Sequence, residues 1–213
     1  VRHFARFDGS SWHAVGTADY GSLSFAYVRT IASDGARLYA GGEFTAIDGV
    51  PASHVAPWDG ATWQGVGGGL NNFGYAWGWD LPADGGRLFV AGGFDIAGGV
   101  SVGDCAVWDG SAWARLGPDL TNQIYGSNAR QLCAYGGDIY VSGSFNVLCG
   151  NTDVHCIVRY DGVTLQPCGG ALHAEWNPAT IFAMVEWDGQ LFCGGEVPGV
   201  GQPGAPSVPS TGC

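Results

Sequence analysis

The chain has 213 residues, with 19 acidic against 8 basic side chains for a net charge of −11. That balance makes nucleic acid and anionic membrane surfaces poor partners, because both repel an acidic protein. Thirty-eight glycines and nine tryptophans in a chain only 13% charged, without long helical periodicity, point to short strands joined by tight turns. The basic residues are all arginine. No run approaches the length of a membrane span, and nothing at Val1 reads as a signal peptide, so a mature or excised chain without membrane insertion is expected.

In chain order, the first element is a strand pair within 1–16, turning at Phe7-Asp8-Gly9 with Trp12 behind the turn. The same aromatic-Asp-Gly motif returns at Trp58-Asp59-Gly60, Trp108-Asp109-Gly110 and Tyr160-Asp161-Gly162, its aspartates stepping by 51, 50 and 52 residues. Trp63 and Trp113 follow two of these copies as Trp12 follows the first, and Leu165 follows the last. A second motif keeps the same beat: Leu38-Tyr39-Ala40-Gly41-Gly42-Glu43-Phe44, then Leu88 to Phe94, Ile139 to Phe145 and Leu191 to Val197. Two motifs in phase define a repeat. Asp-Gly between apolar runs supplies the positive φ angles of a two-residue type I′ hairpin turn. The second motif is preceded by the same chemistry at Asp34-Gly35, Asp84-Gly85, Gly136-Gly137 and Asp188-Gly189. Each repeat therefore holds two hairpins, or four antiparallel strands, and its paired small residues are expected to admit a neighbouring sheet.

Four strands per repeat make one propeller blade. The phase predicts an all-β, four-bladed β-propeller over 1–197. Its blades span about 25–67, 76–118 and 127–170, and a closing blade is shared two strands and two strands between 1–16 and 179–197. Closure would leave no free sheet edge; an open array would. The Gly, Pro, Ser and Val-rich segment 198–213 reads as a tail.

The pattern Leu-Tyr/Phe-x-Gly/Ala-Gly-x-Phe followed by Ala-x-Trp-Asp-Gly-x-x-Trp resembles kelch-type propeller repeats. It is similar above all to the Trp-Asp-Gly and Gly-Gly-x-Phe repeats of predicted secreted or surface proteins of bacteria. The resemblance covers the chain to about Val197 and implies a propeller; function it leaves open, since propellers host enzymes, lectins and scaffolds.

Against the repeat, Cys105, Cys133, Cys168 and Cys193 take positions where other copies place apolar residues, so they are expected as buried thiols. Cys149 and Cys156 flank the segment 150–155, where a disulfide would staple a loop in an oxidising compartment; Cys213 could cap another cysteine. His3, His54 and Asp104 stand at equivalent places before third strands, with His155 one residue out of phase. They are too far from the axis to converge on one metal, and are expected as exposed loop residues, although one blade could hold a weak ion with Asp48. Thr30, Asp80, Gln131 and Ala183 recur on innermost strands beside an apolar set of Ile31, Leu81, Leu132 and Met184. Asp80 with strand carbonyls could hold a channel calcium ion, the alternative being a water column.

Trp12, Trp63 and Trp113, which could stack sugars, are expected instead to pack between blades. Aromatics that break the repeat lie in the loops from fourth to first strands: Tyr20, then Tyr75 and Trp77, then Tyr125, then Trp176 with His173 and Glu175. Such loops gather on one face, and aromatic and amide groups together suit a glycan or a peptide segment. There is no HExxH, no Gly-x-Ser-x-Gly elbow, no phosphate-binding loop and no glycosylation sequon, and the pair His173 and Glu175 is a weak basis for acid–base chemistry. The expectation is a non-enzymatic extracellular or surface binding module for glycan or protein without a resident cofactor. The alternatives are a structural subunit that self-assembles in a surface layer or filament and, last, a hydrolase or lyase.

Overall fold

The computed structural model describes residues 4–21, 26–71, 83–84, 86–117, 120–121, 128–145, 147–148, 156–168 and 180–196. The described residues form β-strands joined by turns, in several small antiparallel sheets. The all-β expectation holds.

The chain opens with a hairpin of β1 (Phe4–Phe7) and β2 (Trp12–Gly16), followed by the short β3 (Ala18–Asp19). The first sheet unit contains β4 (Tyr27–Ser33), β5 (Leu38–Glu43), a small hairpin of β6 (Ala46–Ile47) and β7 (Val50–Pro51), and β8 (Val55–Trp58). Its order is β4-β5-β8, and Trp63 bridges to Trp58 where a fourth strand belongs. The second unit contains β9 (Ala83–Asp84), β10 (Arg87–Ala91), the hairpin β11 (Ile96–Ala97) and β12 (Val100–Ser101), β13 (Cys105–Trp108) and β14 (Trp113–Arg115). The third contains β15 (Leu120–Thr121), β16 (Asn128–Tyr135), β17 (Asp138–Ser144), β18 (Val147–Leu148), β19 (Ile157–Tyr160) and β20 (Leu165–Pro167). Last comes a hairpin of β21 (Thr180–Trp187) and β22 (Gln190–Glu196). The second and third units are four-stranded sheets with strands in the order that two consecutive hairpins dictate.

The two terminal hairpins stand as separate two-stranded sheets among the described residues. The outer edges of β1 and β22 carry no described strand partner.

Cross-strand partners share one face of a sheet, so the register assigns every side chain a direction. Phe89, Ala91, Cys105 and Val107 of the second unit meet Leu132, Val141, Val158 and Leu165 of the third in one buried cluster. The second unit's opposite face, with Leu88, Val90 and Ala106, meets Tyr39, Val55 and Val66 of the first. Ala40, Ala56 and Trp63 of the first unit meet Phe4 and Ala18 beside the opening hairpin. Ile157, Tyr140 and Cys168 meet Ile181, Met184 and Leu191 of the closing hairpin. Five sheet layers thus follow one another in chain order, each inner layer with one face toward the preceding layer and one toward the next.

Two local expectations change. Of the motif turns expected to be type I′, Gly136-Gly137 and Asp188-Gly189 are two-residue turns with both φ angles positive, as are Asp48-Gly49 and Gly98-Gly99 in the small hairpins. Five other turn aspartates instead close four-residue loops: Asp59 Oδ1 accepts from the N–H groups of Ala61 and Thr62, at 2.9 and 2.8 Å, and Asp8, Asp34, Asp109 and Asp161 do the same. The second motif's invariant glycine serves its own sheet rather than a neighbouring one. Gly42 and Gly195 each face a β-bulge in the first strand, and a Cβ on either would run into the carbonyl of Tyr27 or Thr180.

Candidate functional site

The segment after each fourth strand is pinned to the small hairpin of the next unit. β3 pairs with β6, Leu70 bridges to Ala97, and β15 pairs with β18. Side chains reinforce the joint: Thr17 N–H donates to Asp48 Oδ1 at 2.8 Å, and Asn71 Oδ1 accepts from the N–H groups of Asp95 and Ile96 at 3.1 and 2.6 Å. Asp48 is thus an anchor for the preceding layer. Three of the segments that lead into the non-repeating aromatic loops are thus anchored at equivalent places in successive units.

Of the aromatic candidates, Tyr20 is half-buried with its ring 5.9 Å from that of His54. Tyr75, Trp77, Tyr125, His173, Glu175 and Trp176 lie outside the described residues, as do Asp80, Cys149 and Cys213.

The place before each third strand is not an exposed loop. His54, Asp104 and Cys156 occupy it in the three units, with φ of 66°, 50° and 61°, and all three are buried. The carbonyl of each accepts from the invariant glycine, Gly42, Gly92 or Gly143, at 3.0 Å. The N–H of each donates to the carbonyl of Phe44, Phe94 or Phe145, at 2.9, 2.8 and 3.0 Å respectively. The position is a knot that carries second-to-third-strand pairing past the end of the ladder. The equivalent of His54 in the third unit is Cys156; His3 and His155 lie outside the described residues. Burial lowers the His54 pKa against the opposing pull of the Gly42 carbonyl and Glu43, and its Nδ1 lies 3.0 Å from that carbonyl. These residues belong to different units, and no group of three or more metal-ligating side chains is assembled among the described residues.

The cysteines divide. Cys105 is buried as expected, Cys133 and Cys168 are half-buried, and Cys193 is exposed. Cys193 shares its position with Ala40, Val90 and Val141, all 0% exposed. What differs is that β22 has no third strand beside it among the described residues. Burial pushes the thiol of Cys156 up to about 11 and that of Cys168 up to about 12.

Trp63 and Trp113 are packing residues between units, each donating Nε1–H across the joint, to the carbonyls of Val15 and Val66 at 3.3 Å. Thr30, Gln131 and Ala183 do take equivalent places, immediately after the first-strand bulges, while Ile31 beside Thr30 is exposed rather than core.

A groove of about 650 Å³ that the repeat pattern does not announce lies at the hairpin-turn end, between the third unit and the closing hairpin. Tyr135, Asp138, Tyr140, Arg159 and Glu186 line it; Tyr135 donates to the Gly189 carbonyl at 3.0 Å, and Arg159 pairs with Asp138 at 3.3 Å. The Gly136-Gly137 turn, in place of Asp-Gly, was the one sequence signal there. No protein-family model matches the chain, and no curated protein matches it.

Proposed function

We infer that the chain is a non-enzymatic, propeller-type binding module of an extracellular or surface protein, which takes a glycan or a protein segment on the face of its fourth-to-first-strand loops. The observation that carries this reading is the common anchoring of those loops: β3, Leu70 and β15 each dock on the following unit at the same place. A repeating scaffold that launches non-repeating, aromatic-rich loops from one face is how binding surfaces are built on regular folds. Tyr20, Tyr75, Trp77, Tyr125, His173, Glu175 and Trp176 are the residues proposed to meet the ligand. The four-bladed reading fits the repeat count, since β1–β2 and β21–β22 are the complementary halves of a fourth sheet, and the resemblance to kelch-type and bacterial surface repeats fits the propeller. A channel calcium ion at Asp80 and a disulfide between Cys149 and Cys156 remain proposals of the same reading, the latter tested by non-reducing peptide mapping.

The deciding experiment is glycan-array and peptide-array binding by the whole chain and by Trp77→Ala. Binding that drops about tenfold or more in the variant, at unchanged melting temperature, supports the loop face. Equal binding by both proteins, or none by either, overturns it.

One observation favours the second reading, a structural subunit: the terminal layers expose Phe7, Trp12, Phe182, Val185, Trp187 and Phe192 on sheets with open edges among the described residues. Exposed apolar surface on an open strand edge is a template for association.

A further inference from the structure

The joint between successive layers recurs within the chain, and its two halves are left open at opposite ends. At internal joints, the second-strand aromatic of one unit is covered by the next: Tyr39 and Phe89 are 5% and 0% exposed, whereas Phe192 at the same position is 44% exposed. The first-strand residue facing backward is covered by the preceding unit: Leu132 is 4% exposed, but Ile31 is 58% exposed. The fourth-strand tryptophan is covered likewise, with Trp63 and Trp113 at 6% and Trp12 at 72%. Each of these departures from the repeat's own burial falls toward an end. The C-terminal end presents the forward half of the joint and the N-terminal end the backward half.

The open strand edges match in the same sense. In the complete units the second strand pairs with the third through Leu38↔Trp58, Tyr39↔Pro57, Ala40↔Ala56 and Gly41↔Val55, and through the corresponding pairs of the other two units. β22 has no third strand and β1 has no second strand among the described residues.

We propose that these ends join head to tail between two copies of this chain: β22 of one copy pairs with β1 of a second in the register Leu191↔Phe7, Phe192↔Arg6, Cys193↔Ala5 and Gly194↔Phe4. The join completes a four-stranded sheet from two half-sheets. Ile31 of the second copy is covered by the β21–β22 face that carries Val185 and Phe192, as Leu132 is covered by the sheet that carries Phe89. Trp12 donates its Nε1–H to the Cys168 carbonyl of the first copy, the bond that Trp63 and Trp113 make to Val15 and Val66. Cys193, the exposed exception among its equivalents, becomes buried. Such a contact joins unlike surfaces, so it repeats until a ring closes or a filament grows. The proposal rests on the structural-subunit reading and is independent of the loop face.

The test uses the Ala5→Cys variant with the native Cys193. Directly opposed residues of antiparallel strands have Cα atoms about 4.5–5.5 Å apart, within disulfide range. Copies grown in ordinary and in heavy-nitrogen medium are mixed and oxidised with glutathione disulfide, and peptides are mapped by mass spectrometry. The expected result is a disulfide from the introduced thiol to Cys193 that joins one light and one heavy peptide, absent from an Arg6→Cys control whose side chain lies on the other face. Light scattering of the unmodified chain should show mass rising with concentration, and Trp12→Asp should return it to monomer. A link confined to isotopically pure peptides overturns the proposal in favour of closure within one chain. Assembly without the link overturns this register but leaves the structural-subunit reading standing; a monomer at all concentrations removes both.

Discussion

At Trp113 the indole N–H crosses from one unit to the Val66 carbonyl of the preceding unit, in a site 6% exposed. Trp113→Phe keeps an aromatic ring and removes the donor, while the Val66 carbonyl keeps its bond from the Gly69 N–H at 2.6 Å. A loss of about 1 kcal/mol is expected, seen as a fall in melting temperature of about 2–4 °C for a chain of this size. Trp12→Phe, at the exposed equivalent, leaves the melting temperature of the dilute chain unchanged. The turn aspartates give a pH signature. Asp8, Asp59, Asp109 and Asp161 are all held below the usual carboxylate range, with backbone N–H donors in the turn the leading cause. A carboxylate depressed in the folded state adds stability above its unfolded value of about 3.9, and that stability is lost as pH falls toward the folded value. The contribution of these turns to the melting temperature should therefore be constant above about pH 5 and be lost below about pH 4, with a smaller loss in that acid range in Asp59→Asn; an unchanged slope in that variant removes Asp59 from the account. The raised thiol of Cys168 should resist iodoacetamide at about pH 8 in the folded chain and react on denaturation, as peptide mass spectrometry would show.

At the scale of the strand and the turn, the repeat was legible because it is imposed by backbone geometry. The invariant second glycine exists because a first-strand bulge leaves no room for Cβ opposite Gly42 or Gly195. Gly42→Ala should cost at least about 1–3 kcal/mol through forced backbone shifts. Gly35→Ala, whose Cβ meets nothing within 4 Å but whose φ of 87° strains any side chain, should cost about 1 kcal/mol. Denaturant unfolding of both variants checks the order. What the sequence left hidden was of another kind. The buried knot at His54, Asp104 and Cys156 is held by main-chain bonds, so three unlike residues share it and no motif marks it. Asp-Gly likewise reads as a two-residue turn, but whether the aspartate spends its side chain on the N–H groups that follow depends on loop length. Tyr20 was placed among loop residues by failing to repeat, and the structure sets it against His54.

At the scale of the molecule, the described layers form a nearly one-dimensional series in which each touches its neighbours, and stability is the sum of unit and joint contributions. Phe89 sits in the joint between the second and third units at 0% exposure, so Phe89→Ala should cost about 3–5 kcal/mol. Phe192→Ala, at the open end, should cost far less in dilute solution and more once chains associate. Chemical denaturation at two protein concentrations separates the two cases.

The bond from each fourth-strand tryptophan also has a direction in time. The N–H that locks Val15 arrives 48 residues later in the chain, and the one that locks Val66 arrives 47 later. A chain emerging from its amino end therefore fastens each layer only when the following one has been made, like a zip drawn one tooth at a time. Tryptophan fluorescence followed during synthesis should rise in steps one repeat apart, each marking the fastening of the layer before.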